Sequence, residues 1–193
     1  MDAHIERHIR DKDYRRALEA LIATHGPGLG RFLISGLGSR EDGEEALQDT
    51  LVRALNAMPD YRGDNQVKPW LFGIARHVLV DHVRKKSRRR SLWARFFRPD
   101  EDETPDPHAQ TDARLTLAGA LTRLSPALRA AVLLRYQQGM DATEVADTLA
   151  ISHASARKRI SLGLQALRTE LADVAPSDIA PAQSQPALSE SRP

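Results

Sequence analysis

The sequence predicts an all-α protein built from two small helical domains, and three observations lead to this prediction. Ala, Leu, Arg and Glu dominate the 193 residues, whereas aromatic side chains make up only 5%, a composition that favours helices over strands. Apolar residues recur at helical spacing in both halves of the chain. A proline-rich acidic stretch at 99–111 separates the two halves.

The domain boundaries follow from changes in composition along the chain. We predict a first domain at 10–98, a flexible acidic linker at 99–111, a second domain at 112–172 and a disordered C-terminal tail at 173–193. The linker combines prolines with self-repelling acids, which favours an extended chain. The tail is rich in Pro, Ala, Ser and Gln and has too few apolar residues to form a core.

The net charge of +2 conceals blocks of opposite sign. Residues 66–98 carry a net charge of +9, whereas residues 99–112 carry −6. Residues 1–65 carry −3 and residues 113–171 carry +4. This asymmetry predicts a face that binds a polyanion beside acidic segments.

Several function classes are excluded by what the sequence lacks. There is no Cys, which removes disulfides and thiolate metal sites. We find no transmembrane run and no secretory signal, so we expect a cytoplasmic protein without membrane insertion. Catalytic motifs are also missing, so neither an enzyme activity nor a cofactor is predicted. His4 and His8 have metal-ligand spacing, but a frayed N-terminus explains them better.

The first domain is predicted to begin with two helices separated by a break. Apolar side chains recur every three or four residues from Tyr14 to Ile22, which indicates an amphipathic helix. The sequence His-Gly-Pro-Gly at 25–28 interrupts this pattern. A short helix is then predicted from about Leu29 to Leu37.

Two longer helices complete the first domain. Ser39 and Asp42 resemble a capping box at the start of one helix, which carries a leucine stripe on one face. A loop follows at 59–66, and a second helix runs from about Pro69 to Lys86, with proline in its first turn.

The block at 70–98 combines cations with aromatic side chains, including Trp70 and Phe72. Cations neutralise phosphates and aromatic rings stack on unpaired bases, so this composition suits nucleic acid. For Trp70, a place in the core is an equal alternative. For the run Lys85–Arg90, the alternative is a solvated helix end.

The second domain contains a predicted helix-turn-helix. Ser125 and Pro126 begin a helix that carries Leu128, Val132 and Tyr136 in register. A further capping box at Asp141 and a turn at Ala150 then frame two shorter helices, the second starting at the N-cap Ser152. The residues presented by this second helix are Ser152, His153, Ser155, Arg157, Lys158 and Arg159.

A helix of this kind fits the major groove of duplex DNA, where basic and polar groups meet base edges and phosphates. The alternative is a plain helical hairpin with a basic solvated face.

These motifs together resemble a known family. Residues 21–90 resemble region 2 of the extracytoplasmic-function (ECF) subgroup of the sigma-70 family of bacterial RNA polymerase sigma factors, and residues 121–171 resemble region 4. The matching pieces of region 2 are Ser39–Thr50, Tyr61–Asp64, Lys68–Arg76 and Asp81–Arg84.

The resemblance implies a role for three groups of residues. The polymerase-binding residues would be Asp49, Arg53 and Asn56. The residues that open and read the minus-ten promoter element would be Arg62, Asp64, Asn65, Trp70, His77, Asp81, Arg84 and Lys85. The helix that Ser152 begins would read the minus-thirty-five element as duplex.

The resemblance also implies partners and a function. The chain would be an alternative sigma factor, a non-enzymatic subunit that binds core RNA polymerase and promoter DNA. It would be a monomer when free or held by an anti-sigma factor. The competing interpretations are a dimeric helix-turn-helix regulator and an RNA- or polymerase-binding adaptor without promoter choice.

Geometry agrees with two domains on one promoter. The two promoter elements lie about 25 base pairs apart, or roughly 85 Å. A domain of about 80 residues spans roughly 30 Å, so one domain cannot contact both elements. A linker of about 13 residues reaches at most roughly 45 Å, which lets two domains bridge the gap.

Overall fold

The computed structural model describes residues 2–63, 66–96 and 117–172, with side chains in the second range described as far as residue 88. These residues form helices and no strand, which confirms the all-α prediction. The predicted linker and tail lie outside the described residues. The helices are α1 Ala3–Arg10, α2 Tyr14–Leu37, α3 Arg40–Ala57, α4 Val67–Phe96, α5 Leu117–Arg123, α6 Pro126–Val132, α7 Ala142–Leu149 and α8 His153–Ala172.

Helix α1 is part of the folded structure, so the expectation of a frayed N-terminus is wrong. Ile5 and Ile9 lie one turn apart and are buried in the core. Asp2, just before the helix, lies 3.1 Å from His25 Nε2 of α2, and both side chains are largely buried. Two isoleucines in an eight-residue helix give too short a pattern for sequence periodicity to detect.

Helix α2 runs without interruption through Pro27, so the predicted break at 25–28 is also wrong. Leu21 before the proline and Leu29 after it are both fully buried in the same core. The carbonyl of Gly28 accepts a hydrogen bond from Gln138 Nε2 at 3.1 Å. Long-range packing and this tertiary hydrogen bond outweigh the local helix-breaking tendency of proline.

The junction between α2 and α3 forms at the predicted residues with Ser39 as the N-cap, whereas the Asp42 side chain of the predicted capping box accepts from Lys86 on α4. Gly38 ends α2 with a φ of 69°, a left-handed conformation that glycine adopts without strain. Ser39 then begins α3, and its Oγ accepts a hydrogen bond from the Asp42 backbone N–H at 3.2 Å. A Cβ at Gly43 would lie 2.8 Å from the Cα of Ile34, so α3 crosses α2 closely at a glycine.

The second unit, residues 117–172, contains one irregularity that the sequence did not predict. Ser125 caps α6 as expected, but the helix continues into a π-helical turn at Leu133–Gln137. The wider turn shifts the register of the side chains that follow. Tyr136 is therefore 58% exposed instead of lying in the apolar stripe with Val132.

The second unit packs directly on the first unit, residues 2–96, and their buried side chains form one core. Gly36 of α2 lies at the junction. A Cβ there would overlap Leu79 of α4 and would lie 3.8 Å from Cδ1 of Leu133 in the second unit. A glycine at this position lets leucines from both units meet beside the α2 backbone.

Polar side chains also join the two units. Lys68 Nζ donates a hydrogen bond to the Gln138 carbonyl at 2.7 Å, and Gln137 Nε2 donates one to Ser35 Oγ at 2.9 Å. Arg129 is buried and donates to the Gly36 carbonyl near the C-terminus of α2. The last turn of α2 has no basic residue of its own, so Arg129 supplies the cation that a helix C-terminus favours.

Candidate functional site

The helix-turn-helix consists of α7 and α8, and local hydrogen bonds define its shape. Asp141 Oδ1 accepts hydrogen bonds from the backbone N–H groups of Thr143 and Glu144, and Glu144 completes the predicted capping box. Ala150 forms the turn with a φ of 50° and a ψ of 51°. Ser152 Oγ then accepts a hydrogen bond from the Ser155 N–H at 3.2 Å, which caps α8.

The face of α8 that carries the predicted duplex contacts is accessible. His153, Arg157 and Lys158 are exposed, whereas Ser155 and Arg159 are half-buried. Ala156 and Ile160 are buried on the opposite side, as predicted. Among the described residues, no acidic side chain pairs with the cations Arg157, Lys158 and Arg159 of this face. Their charges are therefore available to an external polyanion.

The predicted minus-ten residues on α4 divide into exposed and packed side chains. His77, Arg84 and Lys85 are exposed. Trp70 is half-buried, and its ring centroid lies 5.1 Å from that of Tyr61. Trp70 thus joins α4 to the start of the loop at 61–66 and lies at the edge of the core.

The loop itself is only partly described. Arg62 is exposed, and Gly63 has a φ of 77°. Asp64 and Asn65 lie outside the described residues, so their predicted contacts with the minus-ten element stay predictions.

A ladder of polar pairs joins α3 to α4, and it includes the predicted polymerase-binding residues. Asp49 lies 3.2 Å from the buried His82, and Arg53 lies 3.0 Å from Asp81. Lys86 donates to Asp42 at 2.7 Å, which lowers the pKa of that carboxyl. Asn56, one turn beyond the ladder, is exposed.

The ladder brings together residues that the sequence analysis assigned to different partners. It also contains three residues that the sequence analysis did not assign to any site. Arg53 was assigned to polymerase and Asp81 to promoter DNA. The missed residues are Asp42, His82 and Lys86. Asp42 and Asp49 lie on one face of α3, and His82 and Lys86 lie on one face of α4, so the sequence indicates two polar faces but not their pairing.

Other kinds of site are missing from the described part of the chain. It contains no group of three His, Asp or Glu side chains that could hold a metal ion. None of its helices is both long enough and apolar enough to cross a membrane.

Comparison with known proteins supports the interpretation of both units. Residues 21–89 match the family description "Sigma-70 region 2", and residues 114–167 match "Sigma-70, region 4". The ECF RNA polymerase sigma factor SigC of Mycobacterium tuberculosis is 32% identical over 167 residues, covering 85% of this chain and 86% of SigC.

Two solved structures share the fold across both units. CnrH in complex with the cytosolic domain of CnrY matches with a TM-score of 0.65 and 25% identity, over 89% of this chain and 99% of that one. The sigma factor RpoE of Bartonella quintana, in complex with the anti-sigma factor NepR, matches with a TM-score of 0.62 and 24% identity, over 83% and 98%. The chain therefore belongs to the sigma-70 family, in the group of ECF RNA polymerase sigma factors.

Proposed function

We propose that this chain is an alternative sigma factor that binds core RNA polymerase and directs it to a specific set of promoters. In this proposal α8 contacts the minus-thirty-five element as duplex, while α4 and the loop at 61–66 open and read the minus-ten element. Helix α3 contacts polymerase through Asp49, Arg53 and Asn56. The protein itself catalyses no reaction.

The observation that carries the proposal is the face of α8. Exposed cations that pair with no acid in the described part of the chain lie at the start of the second helix of a helix-turn-helix. In this motif, that position enters the major groove. The same chain also carries a region 2 unit, which an ordinary helix-turn-helix regulator does not need.

The contact between the two units adds a step to the proposed mechanism. Two units of roughly 30 Å in contact span at most about 60 Å, which is less than the roughly 85 Å between the promoter elements. Promoter binding at both elements thus requires the units to separate. The polar contacts of Lys68, Arg129 and Gln137 break in that step.

Control by an anti-sigma factor is the second part of the proposal. The two structural relatives were each solved with a bound partner, and for RpoE that partner is named an anti-sigma factor. By analogy, we infer that a partner of this chain holds it away from polymerase in the cytoplasm. Because the chain has no Cys, a thiol-based signal has to be sensed by the partner.

Run-off transcription with purified core enzyme tests the proposal. We expect a discrete transcript from a cognate promoter only when this protein is added. A stable dimer that binds DNA and ignores polymerase would support the regulator alternative. Polymerase binding without any promoter preference would support the adaptor alternative, and either result would contradict the proposal.

A further inference from the structure

A cleft of about 400 Å³ lies where α1 meets α2, beside the segment that follows α3. Its walls include Arg10 at the end of α1, Lys12 in the connection, and Arg62 in the loop at 61–66. Tyr14 and Tyr61 contribute aromatic rings. The cleft thus joins an element outside the matched region 2, which begins at residue 21, to the loop assigned to the minus-ten element.

The charge of the cleft is positive. Arg10, Lys12 and Arg62 are all exposed, and none of them pairs with an acid among the residues that the structure describes. Glu6 is the one acidic side chain among the residues described as lining the cleft. Its Oε1 accepts a hydrogen bond from the Tyr61 hydroxyl at 3.4 Å, so this acid is engaged in positioning the loop.

Buried apolar side chains and a tight turn define the shape of the cleft. Ile9 and Met58 are buried and form its apolar base. Lys12 has a φ of 58°, a left-handed conformation, and its backbone N–H donates to the Ile9 carbonyl at 3.0 Å. A lysine in this conformation makes the chain reverse direction tightly between α1 and α2. As a result, Arg10 and Lys12 share one cleft with Arg62.

We propose that this cleft binds the backbone of a nucleic-acid strand, namely the unpaired promoter strand as it leaves the loop at 61–66. Three cations around one concavity suit the phosphates of a single strand, and the half-buried rings of Tyr14 and Tyr61 leave aromatic edges beside them for its bases. An acidic protein segment would use the cations but would gain less from the rings of Tyr14 and Tyr61. Arg62 belongs to both the loop and the cleft, which makes the two surfaces continuous.

This proposal rests on the proposed function and makes α1 a part of the promoter-binding surface. It extends the minus-ten contacts beyond the residues that the family resemblance implies. The new contact residues are Arg10 and Lys12.

The test uses the reconstituted holoenzyme and a forked promoter DNA with an unpaired non-template strand. Binding is measured by fluorescence anisotropy at several salt concentrations for the double variant Arg10→Gln and Lys12→Gln. Each lost phosphate contact on a single strand lowers the log–log salt slope by about 0.7. We therefore expect the slope to fall by about 1.4 and the affinity to fall roughly tenfold at low salt.

The matched control is the double variant Arg7→Gln and Arg15→Gln, which removes the same charge from exposed positions outside the cleft. It should bind within about twofold of the wild type. The conservative variant Arg10→Lys and Lys12→Arg should retain affinity, because it keeps both cations.

The outcomes separate this proposal from the function on which it rests. If the wild-type holoenzyme binds the fork but the cleft variant and its control have equal salt slopes, the proposed role of the cleft is wrong. The proposed sigma-factor function would then still stand. Loss of core polymerase binding by the cleft variant, measured without DNA, would assign the cleft to an acidic protein surface and would also overturn the proposal. Failure of the wild-type holoenzyme to bind the fork would contradict both proposals.

Discussion

Arg53 on α3 donates a hydrogen bond from Nη1 to Oδ2 of Asp81 on α4 at 3.0 Å. This pair joins a residue of the proposed polymerase surface to a residue of the proposed promoter surface. The two side chains are 46% and 41% exposed, so both are accessible to a partner that competes for them. Binding of polymerase to Arg53 would release Asp81, and the reverse also holds. If these proposed roles hold, the Arg53–Asp81 pair links the two proposed surfaces.

Exchanging the charges of this pair separates its structural role from its binding role. Single variants Arg53→Asp and Asp81→Arg should each lose about 0.2–1 kcal/mol of unfolding free energy, as exposed ion pairs do. The double variant should recover most of that loss in urea denaturation. In the double variant, however, position 53 presents a negative charge to polymerase and position 81 a positive charge to promoter DNA. Transcription should therefore stay impaired. Full recovery of transcription in the double variant would show that the pair acts only on the fold.

The pair of Asp42 and Lys86 predicts a dependence of stability on pH. The hydrogen bond from Lys86 lowers the pKa of Asp42 in the folded chain. A depressed carboxyl pKa contributes stability above its unfolded value, and this contribution is lost as the pH falls through the folded value. Asp42→Asn should therefore lower the free energy of unfolding by less than about 1 kcal/mol at neutral pH, and it should leave that free energy unchanged in strong acid.

Urea denaturation of the wild type and Asp42→Asn across the acidic range measures this difference. The control is Glu45→Gln, which changes an exposed acid on the same helix that makes no described ion pair. A gap between wild type and Asp42→Asn that widens as the pH falls would refute the assignment of the pair.

The exposed cations of α8 predict a defined loss of duplex binding. Arg157→Ala and Lys158→Ala should each weaken binding to minus-thirty-five duplex and reduce the log–log salt slope by about one. Anisotropy titrations with holoenzyme at several salt concentrations measure both quantities. Arg168→Ala is the matched control, because Arg168 is exposed on the same helix but lies three turns further along. An equal effect of all three variants would argue against a localised DNA-binding face.

We expect a single substitution at Arg129 to weaken the contact between the two units. Its guanidinium donates to the carbonyls of Gly36, Thr122 and Leu124, and burial lowers its pKa. No carboxylate compensates this buried charge, and its Nε has no hydrogen-bond partner within the described residues. Arg129→Met should lower the free energy of unfolding by about 2 kcal/mol, because two buried carbonyls and one part-buried carbonyl lose a charged donor.

The absence of native Cys allows clean labelling to follow the same contact. Dyes on Glu19→Cys and Gln165→Cys report the distance between the units by energy transfer. We expect one high-transfer population in the free protein and a shift to low transfer with polymerase and promoter DNA. Arg129→Met should raise the low-transfer fraction in the free protein, whereas Arg168→Met should not. High transfer in the promoter complex would contradict separation of the units.

Local signals in the sequence predicted local structure well. Ser39 and Asp141 mark helix starts because a side-chain oxygen caps backbone N–H groups only two or three residues away. The turn at Ala150 and the buried pair of Ala156 and Ile160 follow from spacing within twenty residues. The structure confirms these features, and they were predictable because each is caused by residues close together in the sequence.

The features that the sequence did not predict depend on residues far apart in the chain. Helix α2 continues through Pro27 with a tertiary hydrogen bond from Gln138, which lies 110 residues away from Gly28. The pairing of His82 with Asp49 depends on the register between two antiparallel helices. Such a register is set by packing, and periodicity within a single helix does not specify it.

Transcription start mapping after induced expression shows directly whether this chain selects promoters. The comparison is between the wild type, the double variant Arg157→Ala and Lys158→Ala, and the control Arg168→Ala. We expect new start sites that share two upstream elements at one spacing in the wild type and the control, with most of these sites lost in the double variant. An unchanged set of start sites in all three strains would contradict promoter selection by this chain.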